Sequence, residues 1–183
     1  MSSILVVYGT TEGQTRKIAE FISNAVRAQG IDVETVDSAT DAATKVQPVH
    51  AAIVCGSLHQ RHYQSSLLHF LRHNRAWLAG IPTAFASVSM TAVLNDAQSH
   101  AELEQVAKIF YGETGWTPRF TLHVAGALRY TQYDFFKRLV MRLIAKHYGG
   151  DTDTLHDHEY TDWDAVTRFV QDFLAVTHVG KSG

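Results

Sequence analysis

The chain has 183 residues, with 45% hydrophobic and 19% charged side chains and a formal net charge of −2. This composition is typical of a globular domain with a substantial core. The charge argues against long-range attraction to nucleic acid. No apolar run reaches membrane-spanning length and no basic region precedes the first apolar segment, so the sequence predicts a cytoplasmic protein. A single cysteine, Cys55, excludes an intrachain disulfide and predicts a buried thiol on a strand.

The first predicted strand, Ile4 to Tyr8, leads into the loop Gly9-Thr10-Thr11-Glu12-Gly13-Gln14-Thr15. A helix follows, because apolar residues recur at helical spacing from Ile18 to Val26. The unpaired N–H groups of a helix N-terminus bind anions, and threonine hydroxyls add donors. An ordinary turn in which Thr11 or Thr15 caps the helix is the alternative. Three hydroxyls and two glycines exceed what a cap needs, so the loop predicts a phosphate site.

Four more strands are predicted from short apolar runs: Ile31 to Val36, Ala51 to Cys55, Thr83 to Val88, and Phe120 to Ala125. Helical patterns lie between Ser38 and Pro48, from Ser65 to Gly80, around Leu103 to Phe110, and after a cap at Thr161 or Asp162. This alternation predicts one α/β domain over residues 1–178, a parallel sheet with helices on both faces. Residues 179–183 are predicted to be a disordered tail.

A long insertion is predicted near strand 5, from about 127 to 160, since this stretch exceeds an ordinary connection. Within it, residues 133–147 combine an apolar stripe with a basic one, as in an amphipathic cationic helix. One interpretation is a further helix packed on the sheet. The other is a surface that contacts an anionic membrane or a partner protein.

Two phosphate-binding motifs are missing from the sequence, which argues against triphosphates and dinucleotides as the ligand. The sequence contains neither the G-x-x-x-x-G-K-[ST] loop of triphosphatases nor the dinucleotide fingerprint G-x-G-x-x-G. A hydroxyl-rich loop around one terminal phosphate suits a mononucleotide. The segment Gly9 to Thr15 resembles the FMN phosphate loop of flavodoxins, with Glu12 where they often have threonine. The resemblance implies FMN as the cofactor and a flavodoxin-like doubly wound five-stranded sheet in the order 2-1-3-4-5.

In that fold the loops at the carboxyl ends of the strands surround the flavin. The resemblance implies cofactor binding by Thr10, Thr11, Glu12, Gly13, Gln14, Thr15, Ser57, Leu58, His59, Tyr63, Ser87, Val88, Ser89, Gly126 and Leu128. Tyr63 and the imidazoles of His59 and His62 are candidates to stack on the ring, and exposed loop histidines are the alternative. Arg61 brings positive charge, which would stabilise an anionic reduced flavin and raise its potential.

Three segments of the second half narrow the resemblance: Ala125 to Tyr130, Gly149 to Thr154, and Tyr160 to Trp163. They are similar to the bacterial menaquinone-dependent protoporphyrinogen oxidases, flavodoxin-like enzymes of heme biosynthesis. The resemblance implies oxidation of protoporphyrinogen IX to protoporphyrin IX, with menaquinone or ubiquinone accepting electrons at the cytoplasmic face of the inner membrane. Segment 91–100 has no Lys or Arg where a basic loop is expected, so a paralogue with another substrate stays open.

Because the chemistry would take place on the flavin, no protein nucleophile is expected, and the catalytic candidates are Arg61, His62 and Arg129. Propionate or membrane contacts are assigned to Arg129, Tyr130, Tyr133, Lys137 and Arg138 as candidates. Arg129 could equally anchor the insertion to a nearby aspartate. His69 and His73 lie one helical turn apart, but no carboxylate completes a set, so no metal is expected.

The sequence is also compatible with two other functions. A flavodoxin-like electron-transfer protein, or a quinone reductase with another substrate, is the main alternative, although such carriers are usually much more acidic. A domain that has lost FMN is the third hypothesis, against which the intact phosphate loop argues. The sequence predicts no nucleic-acid partner and leaves the oligomeric state open.

Overall fold

The computed structural model describes residues 3–128 and 158–177. Its main strands are β1 (Ser3–Gly9), β2 (Asp32–Asp37), β3 (Ala51–Ser57), β4 (Thr83–Ser89) and β5 (Phe120–Ala125). The helices are α1 (Gln14–Arg27), α2 (Ser65–Leu78), α3 (Ala97–Thr114) and α4 (Trp163–Thr177), with 3₁₀ helices at Asp41–Lys45 and Thr91–Leu94. No helix in these two ranges is long and apolar enough to cross a membrane.

The five strands form one parallel sheet in the order β2-β1-β3-β4-β5. Alternate residues of β1 face opposite layers: Ile4 and Val6 pack with α1 and α4, while Leu5 and Val7 pack with α2 and α3. Burial on both faces explains why these strands read as continuous apolar runs. The predicted doubly wound fold and strand order are confirmed.

The register of the sheet gathers the carboxyl ends of four strands at one edge. Gly9 pairs with Gly56, Gly56 with Ser87, and Ser89 with Ala125. The chain leaves β1 and β3 toward opposite faces of the sheet, so a crevice forms between their following loops. The loops that sequence reasoning assigned to the cofactor therefore share one end of the molecule.

The base of the insertion is a two-stranded antiparallel ribbon beside the end of β5. Its strands are β6 (Ala127–Leu128) and β7 (His158–Glu159), with Leu128 opposite His158. The predicted helix at 133–147 and the candidates Arg129, Tyr130, Tyr133, Lys137 and Arg138 lie outside the described residues, as does the tail. The backbone at residues 127 and 159 nevertheless fixes where the insertion leaves and rejoins the fold.

The single cysteine lies in the centre of the sheet. Cys55 is fully buried in β3, and burial raises the pKa of its thiol to about 12. A thiolate is the reactive form of cysteine, so this side chain is inert at neutral pH. The prediction of a buried strand thiol is confirmed.

His123 is a buried titratable group on the edge strand β5. Its side chain is 5% exposed, and its Nε2 lies 3.1 Å from Glu104 Oε1 on α3. The ring of His100 packs edge-on against it, while Nδ1 is buried and has no hydrogen-bond partner within the described ranges. Burial is the main cause that lowers the pKa of His123 below its ordinary value of 6.5, and Glu104 opposes the shift. The imidazole is therefore neutral in the folded protein at neutral pH.

This lowered pKa predicts a loss of stability on acidification. Above about pH 6.5 the imidazole is neutral in both states, whereas below it the unfolded chain binds a proton more readily than the folded one. We expect the free energy of unfolding to fall as pH drops from about 6.5 through the folded-state pKa. We expect His123→Phe to reduce that fall, as measured by urea denaturation between pH 7.5 and 5. The exposed His73→Phe serves as the control, and an unchanged pH profile in His123→Phe would contradict the assignment.

Candidate functional site

A cleft opens at the carboxyl ends of β1, β3, β4 and β5, beside the start of α1. Its lining comes from the loops after these strands and from α3: Thr10, Thr11, Glu12, Gln14, Thr15, Ser57, Leu58, His59, Gln60, Arg61, Val88, Ser89, Met90, Thr91, Glu102, Leu103, Val106, Gly126 and Ala127. Most of the cofactor-binding residues expected from the sequence lie in this lining. Gly13, Tyr63, Ser87 and Leu128 do not.

The start of α1 forms one wall of the cleft. Gly13 is the N-cap, with φ of 93°, a left-handed conformation that favours glycine. Its N–H donates to Thr10 Oγ1 at 2.9 Å, which closes the loop on itself. Because Gly13 has no side chain, the cap supplies no acceptor to the first-turn N–H groups, which can then donate to an anion. The local geometry thus fits a phosphate held without any lysine or arginine in the loop.

Gln64, the N-cap residue of α2, ties two loops of the cleft together. Its Oε1 accepts the N–H of Ser57 at 3.2 Å, and its Nε2 donates to Thr11 Oγ1 at 2.9 Å. The phosphate loop and the loop after β3 are therefore held at a fixed separation. Sequence reasoning missed Gln64, since a glutamine at a helix start carries no signal that distinguishes it from a surface residue.

The loop after β3 ends in a tight two-residue turn at the mouth of the cleft. His59 and His62 exchange both backbone hydrogen bonds at 2.9 Å, and Leu58 N–H donates to Val88 O at 2.8 Å. The central residues, Gln60 and Arg61, have φ of 47° and 66°. Each non-glycine residue in this left-handed region costs about 1–2 kcal/mol. The surroundings must hold the turn in place, and such strain is common at functional sites.

Arg61 provides part of that hold through α3. Its Nη1 donates to Glu102 Oε1 at 2.5 Å, and both side chains are about half exposed. The sequence led us to expect a positively charged surround for the flavin. The structure corrects this, because Glu102 balances Arg61 and Glu12 lies in the same lining. His62 is exposed and lies outside the lining, so the structure does not place it in the cleft.

The expected stacking role of Tyr63 is also corrected. Its ring packs against Phe85 and Phe110, with centroid distances of 5.2 and 4.5 Å, on the α2/α3 side of the sheet. Its hydroxyl lies 2.7 Å from Oγ of the fully buried Ser87, and burial raises the pKa of Tyr63. The aromatic core takes up the ring, and Ser87 satisfies the hydroxyl. Tyr63 and Ser87 therefore support the loop after β3 from the core and do not line the cleft.

The connection after β5 closes the cleft on the opposite side. Gly126 N–H donates to Ser89 O at 3.2 Å, and Gly126 O accepts from Tyr160 N–H at 3.1 Å. These bonds place Gly126 between the end of β4 and the returning end of the insertion. Leu128 follows in β6, where its backbone pairs with His158.

Comparison with known proteins agrees with this geometry. The profile of the flavodoxin domain matches residues 5–155. The protoporphyrinogen IX dehydrogenase [quinone] of Escherichia coli K12 is 28% identical over 173 residues, covering 94% of this chain and 95% of that protein. The Leishmania major protein of the same name is 30% identical, covering 94% and 74%. The chain belongs to this flavodoxin-like dehydrogenase family. The similarity to protoporphyrinogen oxidases that the sequence indicated is confirmed.

Solved flavodoxin structures share the fold at much lower sequence identity. A short-chain flavodoxin associated with a bacterial microcompartment superposes with a TM-score of 0.60 at 13% identity, covering 97% of this chain and 99% of that one. A cysteine-to-serine mutant of the flavodoxin from Pseudomonas aeruginosa gives 0.50 at 13% identity, covering 79% and 95%. Membership of the flavodoxin-domain family supports a flavin cofactor.

Four lining residues of this flavodoxin-like cleft lie outside the loops that the sequence assigned to the cofactor: Glu102, Leu103, Val106 and Ala127. Those on α3 belong to an amphipathic helix whose buried positions resemble any core stripe. Their spacing was visible, but their distance from the loop after β3 was not. Only the packing of α3 beside β4 and β5 brings them to the cleft.

Proposed function

We propose that this chain is an FMN-dependent dehydrogenase that oxidises protoporphyrinogen IX to protoporphyrin IX and passes the electrons to a quinone. The observation that carries the proposal is the similarity to dehydrogenases of that name over 94% of the chain, together with an anion-binding helix start in the cleft. The similarity extends through both sides of the insertion, so it covers more than the common flavodoxin core.

FMN is proposed over other flavins because of the phosphate loop. A single terminal phosphate can accept hydrogen bonds from the first-turn N–H groups of α1 and from the hydroxyls of Thr10, Thr11 and Thr15. The sequence lacks the dinucleotide fingerprint that a longer cofactor would favour. Leu58, Val88, Ser89 and Gly126 line the same cleft and are proposed to contact the remainder of the cofactor.

A bound flavin would supply a two-electron acceptor that takes hydride from the substrate. The chain's own task is to bind and orient two flat molecules and to exclude water. Met90, Leu103, Val106 and Ala127 give the cleft an apolar side suited to a tetrapyrrole. Arg61 keeps guanidinium donors beyond the one used by Glu102, and these can pair with a carboxylate.

Residues beyond the described ranges complete the proposal. Arg129 is proposed to pair with a propionate, Tyr130 and Tyr133 to lie against the macrocycle, and Lys137 and Arg138 to contact substrate or lipid. The segment 133–147, predicted from the sequence to be a helix, would then rest on an anionic membrane, where the quinone is found. In this proposal the protein lies on the cytoplasmic face of the inner membrane.

The proposal is tested in two steps with the purified protein. We expect it to bind FMN, seen as quenching of the flavin fluorescence. We then expect anaerobic mixing with protoporphyrinogen IX to bleach the flavin absorbance, and added menaquinone to restore it. Failure to take up FMN would end the flavoprotein proposal. A bound flavin that is not bleached would reject the porphyrinogen as substrate and favour an electron carrier or a reductase of another substrate.

A further inference from the structure

The segment 158–161, the return segment, follows the insertion in the chain and contacts the start of α1. Gln14 Nε2 donates to Thr161 Oγ1 at 2.9 Å, and Thr161 Oγ1 donates to Ala125 O at 2.9 Å. Gln14 and Thr161 are 147 positions apart in the chain. One hydroxyl therefore connects the phosphate loop to the end of β5.

The sequence left Thr161 and Asp162 as alternative caps for α4. The structure assigns the cap to Asp162, whose Oδ1 accepts the N–H of Ala165 at 2.8 Å. The hydroxyl of Thr161 is thus not used for capping. It bonds Gln14 and Ala125 instead, two contacts that the sequence did not predict.

A second group of contacts holds the same two elements together. Glu159 bonds the Lys17 ammonium and accepts from Trp163 Nε1, the latter at 2.7 Å. The ring of Trp163 packs on Phe21 at a centroid distance of 4.7 Å, and Lys17 lies 5.4 Å from the Trp163 ring. The hydrogen bond from Lys17 is the main cause that lowers the pKa of Glu159. A side-chain hydrogen bond with Gln14 lowers this pKa further, so Glu159 docks α1 on α4 and also reaches the first residue of α1.

The position of Gln14 gives this bond its importance. Gln14 begins α1 and lines the cleft, and the glycine before it cannot anchor the helix start through a side chain. Helix ends without side-chain anchors fray. The side chain of Gln14, held by Thr161 and in reach of Glu159, replaces the missing anchor and favours one direction of the first N–H groups.

We propose that Thr161 is a positioning residue for the cofactor phosphate, acting through Gln14. The inference rests on the proposed FMN function. It assigns the return segment of the insertion a part in cofactor binding, although Thr161 itself does not line the cleft. A residue that acts on the phosphate loop should affect FMN and leave riboflavin, which has no phosphate, unaffected.

The test measures the Kd of FMN and of riboflavin by fluorescence quenching with the full chain. We expect Thr161→Val to raise the Kd of FMN about tenfold, the scale of one lost hydrogen bond, and to leave the Kd of riboflavin unchanged. Thr161→Ser keeps the hydroxyl and should restore FMN binding. Thr167→Val is the matched control, because among the described residues the hydroxyl of Thr167 bonds within α4, to Trp163 O at 2.8 Å.

A double-mutant cycle with Gln14→Met separates positioning from general damage. If Thr161 acts through Gln14, adding Thr161→Val to Gln14→Met will not weaken FMN binding further. Equal losses for FMN and riboflavin, or no loss for either, would overturn the positioning role while leaving the FMN proposal intact. A wild-type chain that binds neither flavin would instead reject the FMN proposal itself. Thermal unfolding of each apo variant identifies any variant that fails to fold. If Thr161→Val fails to fold, the Kd values of FMN and riboflavin for Thr161→Ser decide whether Thr161 positions the phosphate loop.

Discussion

Replacing Gly56 with alanine is expected to lower the free energy of unfolding by about 1–3 kcal/mol, the usual cost of overpacking a core. A Cβ on Gly56 would lie 2.9 Å from Tyr63 Cδ1, 3.1 Å from Leu67 Cδ2 and 3.1 Å from Phe85 Cε2. Leu67 and Phe85 are fully buried, so they have little room to move. The cost is steric, because Gly56 is not among the residues with positive φ.

The same substitution should also reach the cleft. Tyr63 is the contact with most freedom to shift, and it supports the loop that carries Leu58, His59 and Arg61. We therefore expect Gly56→Ala to weaken FMN binding as well as stability.

Gly112→Ala provides a control of opposite sign. Gly112 lies inside α3, and a Cβ there would meet nothing within 4 Å. Alanine in an open helical position is expected to stabilise the protein by about 0.5–1 kcal/mol. Urea denaturation of both variants measures the difference, and a Gly56→Ala variant as stable as wild type would show that the aromatic cluster can adapt.

The sheet and its helices were predictable because their signals are local. Buried parallel strands give short apolar runs, and helices such as α1 repeat apolar residues with a period near 3.6. The strand order came from the resemblance of the phosphate loop, and the structure has that order. Once the order is known, the carboxyl ends of four strands must meet at one edge. Most of the cleft follows from that rule.

The side-chain partners within the cleft were not predictable in the same way. Arg61 meets Glu102 across 41 positions of the chain, and nothing in either segment indicates the pair. Tyr63 has a ring and a hydroxyl that suit either a cofactor or a core, and only the space beside Phe85 decides between them. The turn at Gln60 has a left-handed conformation that sequence rules assign to glycine or asparagine. Such features depend on packing between distant segments.

Glu102→Gln is expected to raise the two-electron midpoint potential of the bound flavin, and Arg61→Gln to lower it. Glu102 and Arg61 line the same cleft and form an ion pair, so each removal leaves the other charge unbalanced. A positive charge favours the anionic reduced flavin, and a negative charge disfavours it. A unit charge about 10 Å away, at an effective dielectric constant of about 20 and partly screened by solvent, gives a shift of about 10–30 mV.

Anaerobic titration against a reference dye measures both potentials, with Glu20→Gln as the control. Glu20 forms a comparable exposed pair with Arg16, at 2.8 Å, but neither residue lines the cleft. The midpoint potential of the flavin in Glu20→Gln should match that in the wild-type protein. Shifts of the same sign in Glu102→Gln and Arg61→Gln would indicate that the turn has collapsed, since a pure charge effect must reverse between them. Opposite shifts would show that Arg61 and Glu102 together set the local charge near the flavin, in place of the net positive charge that the sequence predicted.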